Sequence, residues 1–322
     1  MKVLSLVLCL FILNGCASTP LSWSIAANGT GSLPAAVELT ETPFYPQTQY
    51  QCGPAALATV LHSHGIEATP EKLSAQVYLP GRKGSLQIEM IAAARRYDML
   101  PYELKPQLLD LFTELAAGNP VLVLQNLGVE WFPQWHYAVV IGYHIERNEI
   151  ILRSGETRRW ITSFEVFERT WQRADHWALV IVPVADIPRT AEPLRYLKTV
   201  YALEETGRQE LALKAYRSAS RRWPDVAVVW MAVGNQAIVT DNHGEAARAF
   251  TVATRLEPES IAGWNNLAYA LHASGCGEQA QEALQCGLRY APDNNNLQDS
   301  VEELMKRPLN RGQGECPAIR CD

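Results

Sequence analysis

Apolar positions change their period near residue 120. Upstream they recur at helical spacing. Leu57 and Leu61 stand at i and i+4 in the Ala-rich run from Ala55 to His64, and Gly65 closes it. The spacing predicts a helix headed by Gln51-Cys52-Gly53-Pro54, with Pro54 tolerated in its first turn. Thr69-Pro70-Glu71 reads as an N-cap with Pro at N1 and starts a second helix. Ser85 is expected to cap a third that runs to about Tyr97. A fourth spans about Leu108 to Ala117 and ends at Gly118-Asn119-Pro120. Downstream the apolar residues become nearly continuous. Val121 to Gln125, His136 to Tyr143, Glu149 to Arg153 and Trp177 to Val182 read as strands. Helices first and an antiparallel sheet second make an α+β domain over residues 41–190.

The last third carries a repeat. Pro224, Pro258 and Pro292 fall 34 residues apart, and Trp230 and Trp264 keep the same phase. Ala212, Ala246 and Ala280 share a second phase, Tyr216, Phe250 and Leu284 a third, and small Ala219, Ala253 and Gly287 a fourth. This resembles the tetratricopeptide (TPR) pattern of paired antiparallel helices. It implies an all-α solenoid of three TPR repeats over residues 191–294, followed by a Cys-containing tail at 295–322. Such arrays present a concave groove, so a substrate or protein partner is expected there; the alternative is that the array only caps the domain before it.

The N-terminus reads as a targeting segment. Lys2 precedes the apolar run Val3 to Leu13, which is too short for a permanent bilayer span. Leu13-Asn14-Gly15-Cys16 resembles the lipobox of bacterial lipoproteins. That implies a signal peptide over 1–15, lipidation of Cys16, a membrane contact through the anchor and a tether at 16–40 rich in Ser, Thr, Gly and Pro. Ala17 after the lipid cysteine resembles outer-membrane sorting, which implies a cell-envelope protein facing the periplasm. In that oxidising compartment Cys276, Cys286, Cys316 and Cys321 form an even set that suggests two disulfides. Cys276 and Cys286 share one predicted helix at about 15 Å by helical rise, so each is expected to pair with a tail cysteine, with a four-cysteine zinc site as the alternative. A formal net charge of −6 gives a nucleic-acid role no electrostatic support.

Two residues carry the candidate chemistry. Cys52 heads a helix, where unsatisfied N–H groups and the helix dipole favour a thiolate and should lower its pKa. His136 opens the strand Trp135-His136-Tyr137-Ala138-Val139-Val140-Ile141-Gly142-Tyr143 and is flanked by aromatic rings, a setting for a general base. Trp131, Phe132, Trp135 and Tyr137 either line a peptide groove or pack a loop.

These motifs, Gln47 ahead of Cys52-Gly53-Pro54-Ala55-Ala56-Leu57 and His136-Tyr137-Ala138-Val139-Val140-Ile141-Gly142, are together similar to the bacteriocin-processing (double-glycine leader) peptidase family. That family lies within the papain superfamily. The resemblance runs from about Phe44 to Val182 and implies a papain-like cysteine peptidase fold and acyl transfer. His136 would deprotonate Cys52, and Gln47 would supply an oxyanion donor, with Gln49 and Gln51 as nearby alternatives. No cofactor or metal is implied. The family places Asp on the strand after the His strand, and Ser154 falls there in this chain. Serine would accept from the imidazole Nδ1–H without offsetting its charge, while Glu156, two residues off, reads as a turn residue. Arg158, Arg159 and Trp160 read as a solvated turn, with a site for a substrate carboxylate as the alternative. No Gly-rich phosphate loop appears, so ATP has no expected site. The implied function is hydrolysis of a protein or peptide substrate. The rival readings are a non-catalytic peptide-binding lipoprotein on the same fold, or an amidase or transpeptidase.

Overall fold

The computed structural model describes residues 33–47, 51–308 and 316–321. The signal segment, Cys16, Gln49 and most of the tether lie outside the described residues.

The N-terminal region is built on one antiparallel sheet of seven strands. They are β1 (Ala36–Glu38), β2 (Met99–Glu103), β3 (Val121–Asn126), β4 (Trp135–His144), β5 (Glu149–Ser154), β6 (Thr157–Ser163) and β7 (Ala178–Pro183). The order is β2-β7-β3-β4-β5-β6, with β1 pairing β4. Strand β4 is the longest and organises the rest. One edge pairs with β3 from Val140 to Trp135 and then with β1 from Gly142 to His144. A side chain at Gly142 would meet the Val37 carbonyl at 2.4 Å, so glycine is what lets β1 close in. Residues 36–38 therefore belong to the sheet rather than to a tether.

The near-continuous apolar run of β4 follows from burial on both faces. Tyr137, Val139 and Ile141 face one side, together with Leu122, Leu124, Ile151, Leu179 and Ile181. Helices α1 (Cys52–Ser63), α2 (Pro70–Val77) and α3 (Gln87–Arg96) cover that side. Ala138 and Val140 face the other, with Val121, Val123, Leu152, Val180 and Val182. Helices α4 (Leu108–Ala116) and α5 (Phe164–Gln172) cover it with Phe112, Phe167 and Trp171.

Helix α1 is buried nearly all round, from Gly53 to Leu61. It stops where Gly65 adopts φ 77° and its N–H donates to the His62 carbonyl at 2.9 Å; the next N–H, of Ile66, reaches back to Leu61 at 3.1 Å. Helix α3 differs from the sequence expectation at its start. Its cap is Leu86 without a side-chain bond, and the Ser85 hydroxyl is buried beside Gly53 with no partner. Close packing of the loop on α1 won over capping. A Cβ at Gly53 would sit 2.4 Å from Ser85 Oγ, so this approach needs glycine at the position after the cysteine.

The C-terminal region is a helical repeat of three hairpins and a closing helix. The pairs are α6 (Pro193–Glu205) with α7 (Gln209–Arg222), α8 (Ala227–Val239) with α9 (His243–Leu256), and α10 (Ile261–Ala273) with α11 (Gly277–Tyr290). Helix α12 (Asn295–Lys306) follows, within the stretch read from sequence as a tail. Its N-cap Asn294 accepts from the Leu297 N–H. The 34-residue period has a visible cause: Trp230 Nε1 donates to the Pro224 carbonyl and Trp264 Nε1 to the Pro258 carbonyl, each at 2.7 Å. Small residues sit where helices cross; a Cβ on Gly234 would meet the Phe250 ring at 2.4 Å. Disulfides join Cys276 to Cys316 and Cys286 to Cys321, with Cα separations of 5.6 and 5.0 Å.

The two regions share one core. Tyr196, Val200 and Leu203 of α6 pack in the same cluster as Leu100 and Tyr102 of β2. The buried Glu114 carboxylate accepts from the Thr190 N–H at 2.7 Å and from its hydroxyl at 2.6 Å, which fixes the connecting segment.

Candidate active site

Cys52 is the first residue of α1, and His136 the second residue of β4. The sheet brings these starting points together. Helix α1 lies across β4 on the face of Tyr137 and Val139. The backbone N–H groups of Tyr137, the residue next to His136, and of Gly53 and Cys52 itself act on the thiol in the direction that favours its anion. Helix α1 has no side-chain cap at Gln51, so its first-turn donors are free to face the sulfur.

Those three donors favour the thiolate, but they do not win. Burial pushes the Cys52 thiol above its ordinary value, contrary to the expectation from the helix terminus alone. Burial also pulls the His136 imidazole below its ordinary 6.5. Both groups therefore favour their neutral forms at rest. Cys52 as a residue remains partly exposed, and it is the free cysteine among the described residues.

The imidazole is oriented by Ser154. His136 Nε2 lies 2.9 Å from Ser154 Oγ. The sequence reading had placed Nδ1 in this role; the ring presents Nε2 instead. Ser154 is held there by a two-residue turn at Gly155-Glu156, closed by the pairing of Ser154 with Thr157. Gly155 takes φ 59° at the first central position, which suits a type II′ turn. Glu156 is exposed on that turn.

Gln47 joins the same cluster. Its backbone N–H donates to the Gly155 carbonyl at 3.1 Å, and its side-chain amide donates to the Tyr137 carbonyl at 3.4 Å. The buried Arg153 guanidinium anchors the strand leading there, donating to the carbonyls of Thr40 at 3.0 Å and Thr42 at 2.9 Å. Its other amino group donates to the Arg158 carbonyl at 2.5 Å. One side chain thus ties the segment before the cysteine to β5 and β6.

Residues 39–178 match the Peptidase_C39 like family. The C39-like region so defined holds Gln47, Cys52, His136 and Ser154. No curated protein matches this chain. Among solved structures, a C39-like peptidase from Bacillus anthracis is 19% identical, with 46% of this chain and 97% of that one covered and a TM-score of 0.39. The peptidase domain of Streptococcus ComA, a bi-functional ABC transporter of a quorum-sensing pathway, is 19% identical over 44% of this chain and 99% of its own, at a TM-score of 0.36. The first TPR of Spaghetti (RPAP3), bound to an HSP90 peptide, is 14% identical over 35% of this chain and 90% of its own, at 0.33.

Sequence reasoning missed part of the C39-like region's surface. Arg158, Arg159 and Trp160 lie on β6 rather than in a turn, and Arg159 is paired with Glu38. A cleft of about 310 Å³ opens beside His136 and Ser154. Trp131, Phe132 and Trp135 are 85%, 68% and 55% exposed, so they do not pack a core. Tyr137 does, edge-on against Trp177. The 127–134 loop carrying Trp131 and Phe132 is well tied: Asn126 Oδ1 accepts from the N–H groups of Gly128 and Gln134 at 3.0 and 2.9 Å.

His136 is not alone in being buried neutral. Burial also lowers His64 and His176, and the Nε2 atoms of both lack partners. With folded pKa values below 6.5, the unfolded chain binds protons that the folded chain does not. Stability is therefore expected to fall as pH drops below about 6.5. A lower urea midpoint at pH 5 than at pH 7, with the difference reduced in His176→Gln, is the expected result; an equal dependence in the variant would refute it.

Proposed function

We propose that this protein is a cell-envelope cysteine peptidase, anchored by a lipid on Cys16, that hydrolyses a peptide bond with Cys52 and His136. The observation that carries the reading is the convergence at one end of β4. Cys52 is a partly exposed residue whose thiol is acted on by the Tyr137 N–H, one residue from an imidazole oriented by Ser154. The family match over residues 39–178 supports it.

The resting pair is neutral, so proton transfer accompanies attack. As the sulfur bonds to the substrate carbonyl carbon, His136 takes the thiol proton. The carbonyl oxygen becomes an oxyanion, held by the Gln47 amide and the N–H groups of the first turn of α1. When the C–N bond breaks, His136 returns the proton to the departing amine. Water, deprotonated by His136, then hydrolyses the thioester and frees the acid product. No step calls on a cofactor.

The helical repeat, in this reading a TPR array, recruits the substrate or a protein partner. Leu194, Tyr201 and Val228 leave apolar surface open on its first helices.

Cys52→Ser is expected to abolish hydrolysis of an envelope peptide substrate and to leave the melting temperature within a few degrees. Retained hydrolysis would overturn the assignment. One observation favours a second reading. Ser154 stands where the related peptidases carry a carboxylate, which suits a module that binds peptide without cutting it. Rapid alkylation of Cys52 by iodoacetamide at neutral pH separates the two, since a binding module needs no reactive thiol.

A further inference from the structure

The cleft beside His136 has a composition that the reaction alone does not explain. It lies on the Nε2 side of the imidazole, bounded by β5, β6 and α5, and Cys52 does not line it. Its rim is Leu127, Trp160 and Val166, each close to 50% exposed. Leu152 and Phe167 form its buried wall. Polar atoms in the floor are already paired: Gln125 Nε2 donates to Thr170 Oγ1 at 2.6 Å, and His136 Nε2 meets Ser154. No Lys or Arg lines it, His136 is neutral at rest, and Glu156 sits among the lining residues. A charged acidic group would find no partner there and a like charge nearby. An apolar group loses nothing by displacing water from such walls. The volume lies at the small end for ligand sites, about 300–1,000 Å³, so it suits one large side chain.

Its direction relative to the thiol says which side chain. The acyl carbon bonds to Cys52, and the departing nitrogen must reach His136 to receive its proton. Residues after the scissile bond therefore lie on the imidazole side, where the cleft opens. We propose that this cleft is the pocket for a bulky apolar side chain, aromatic or branched aliphatic, on the portion of the peptide that leaves as the amine. The assignment to the departing portion rests on the peptidase reading; the binding preference does not.

The test uses the full chain and three probes: N-acetyl-tryptophan amide, N-acetyl-alanine amide and N-acetyl-glutamate amide. Binding is read from the imidazole resonances of His136 by NMR, and Cys52 reactivity from iodoacetamide labelling. The tryptophan probe is expected to shift His136 saturably, at least tenfold tighter than the alanine probe, with no shift from the glutamate probe. Val166→Arg places a cation on the rim at an exposed helical site and is expected to weaken the tryptophan probe tenfold or more. Trp160→Ala is expected to weaken it as well, and circular dichroism verifies that both variants fold. Equal binding of the alanine and tryptophan probes, or unchanged binding in both variants, overturns the pocket. Fast labelling with no aromatic binding overturns the pocket and leaves the peptidase reading standing. Aromatic binding with a thiol that labels no faster than free cysteine overturns the peptidase reading, and the departing-side assignment falls with it.

Discussion

His136→Ala is expected to slow both iodoacetamide labelling of Cys52 and peptide hydrolysis by about 10²–10⁴-fold, the usual contribution of a positioned general base. The size of the effect follows from the resting state. Burial holds the thiol above its ordinary 9.0, so without a base almost no thiolate exists at pH 7. The N–H groups of Tyr137, Gly53 and Cys52 stabilise the anion once formed, yet they do not outweigh desolvation. The imidazole is held below 6.5 and is therefore ready to accept a proton across the neutral range. Activity against pH should run flat there, with an acid limb below 6.5 and an alkaline limb above 9.0. Ser154→Ala removes the hydrogen bond at Nε2 and leaves the base in place, so a smaller loss, about tenfold, is expected. Ser154→Asp should raise the imidazole pKa and move the acid limb upward. If His136→Ala labels as fast as the parent, or if Ser154→Ala combined with Glu156→Ala keeps full activity, the account of the pair is wrong. Steady-state kinetics and timed labelling with mass detection both read it.

Reduction of the two disulfides is expected to have the largest effect on stability. Cys276–Cys316 closes a separation of 40 residues and Cys286–Cys321 one of 35. Loop closure of that length restrains the unfolded chain by about 4 kcal/mol for a single bridge. The loops overlap, so together they contribute less than twice that. The native side agrees with the entropy argument. The tail packs Cys316, Ile319 and Cys321 against the core of the array, and the Tyr290 hydroxyl donates to the Cys321 carbonyl at 2.9 Å. These few contacts do not offset the entropy of a free tail. Reduction should lower the melting temperature of the array and open residues 316–321 to proteolysis. Identical melting curves and cleavage patterns with and without reductant would remove the bridges from the stability account.

Much of the framework was legible in the sequence because its signals are local. Cys52 heads a helix because Gln51 to Pro54 opens an Ala-rich run that Gly65 stops. Periodic Trp, Ala and Pro residues mark the hairpins because the second and third hairpins repeat the same Trp-to-Pro bond. The parts that were not legible depend on distant partners. Strand β1 is three residues long and exists only because β4 extends beyond β3. Strand β6 is an exposed edge whose residues Thr157 to Ser163 show no apolar alternation, so Arg158 to Trp160 read as a turn. Helix α5 is short, and its Phe164, Phe167 and Trp171 stripe gains meaning only against the sheet. The cleft draws walls from β3, β5, β6 and α5, so no single stretch of sequence announces it. The thiol was misjudged for the same reason: the helix terminus can be seen in four residues, whereas burial depends on a core cluster that includes residues as distant as Tyr137 and Val139.

The joint packing of Tyr196, Val200 and Leu203 with Leu100 and Tyr102 bears on how the gene can be cut. A fragment ending near residue 190 would strip the cover from β2 and turn an interior wall into an oily outer flank. The Glu114 carboxylate would lose its Thr190 donors at the same stroke. The hairpins thus serve the sheet as a missing outer layer, and the natural unit for expression, crystallisation or grafting is the pair rather than either half.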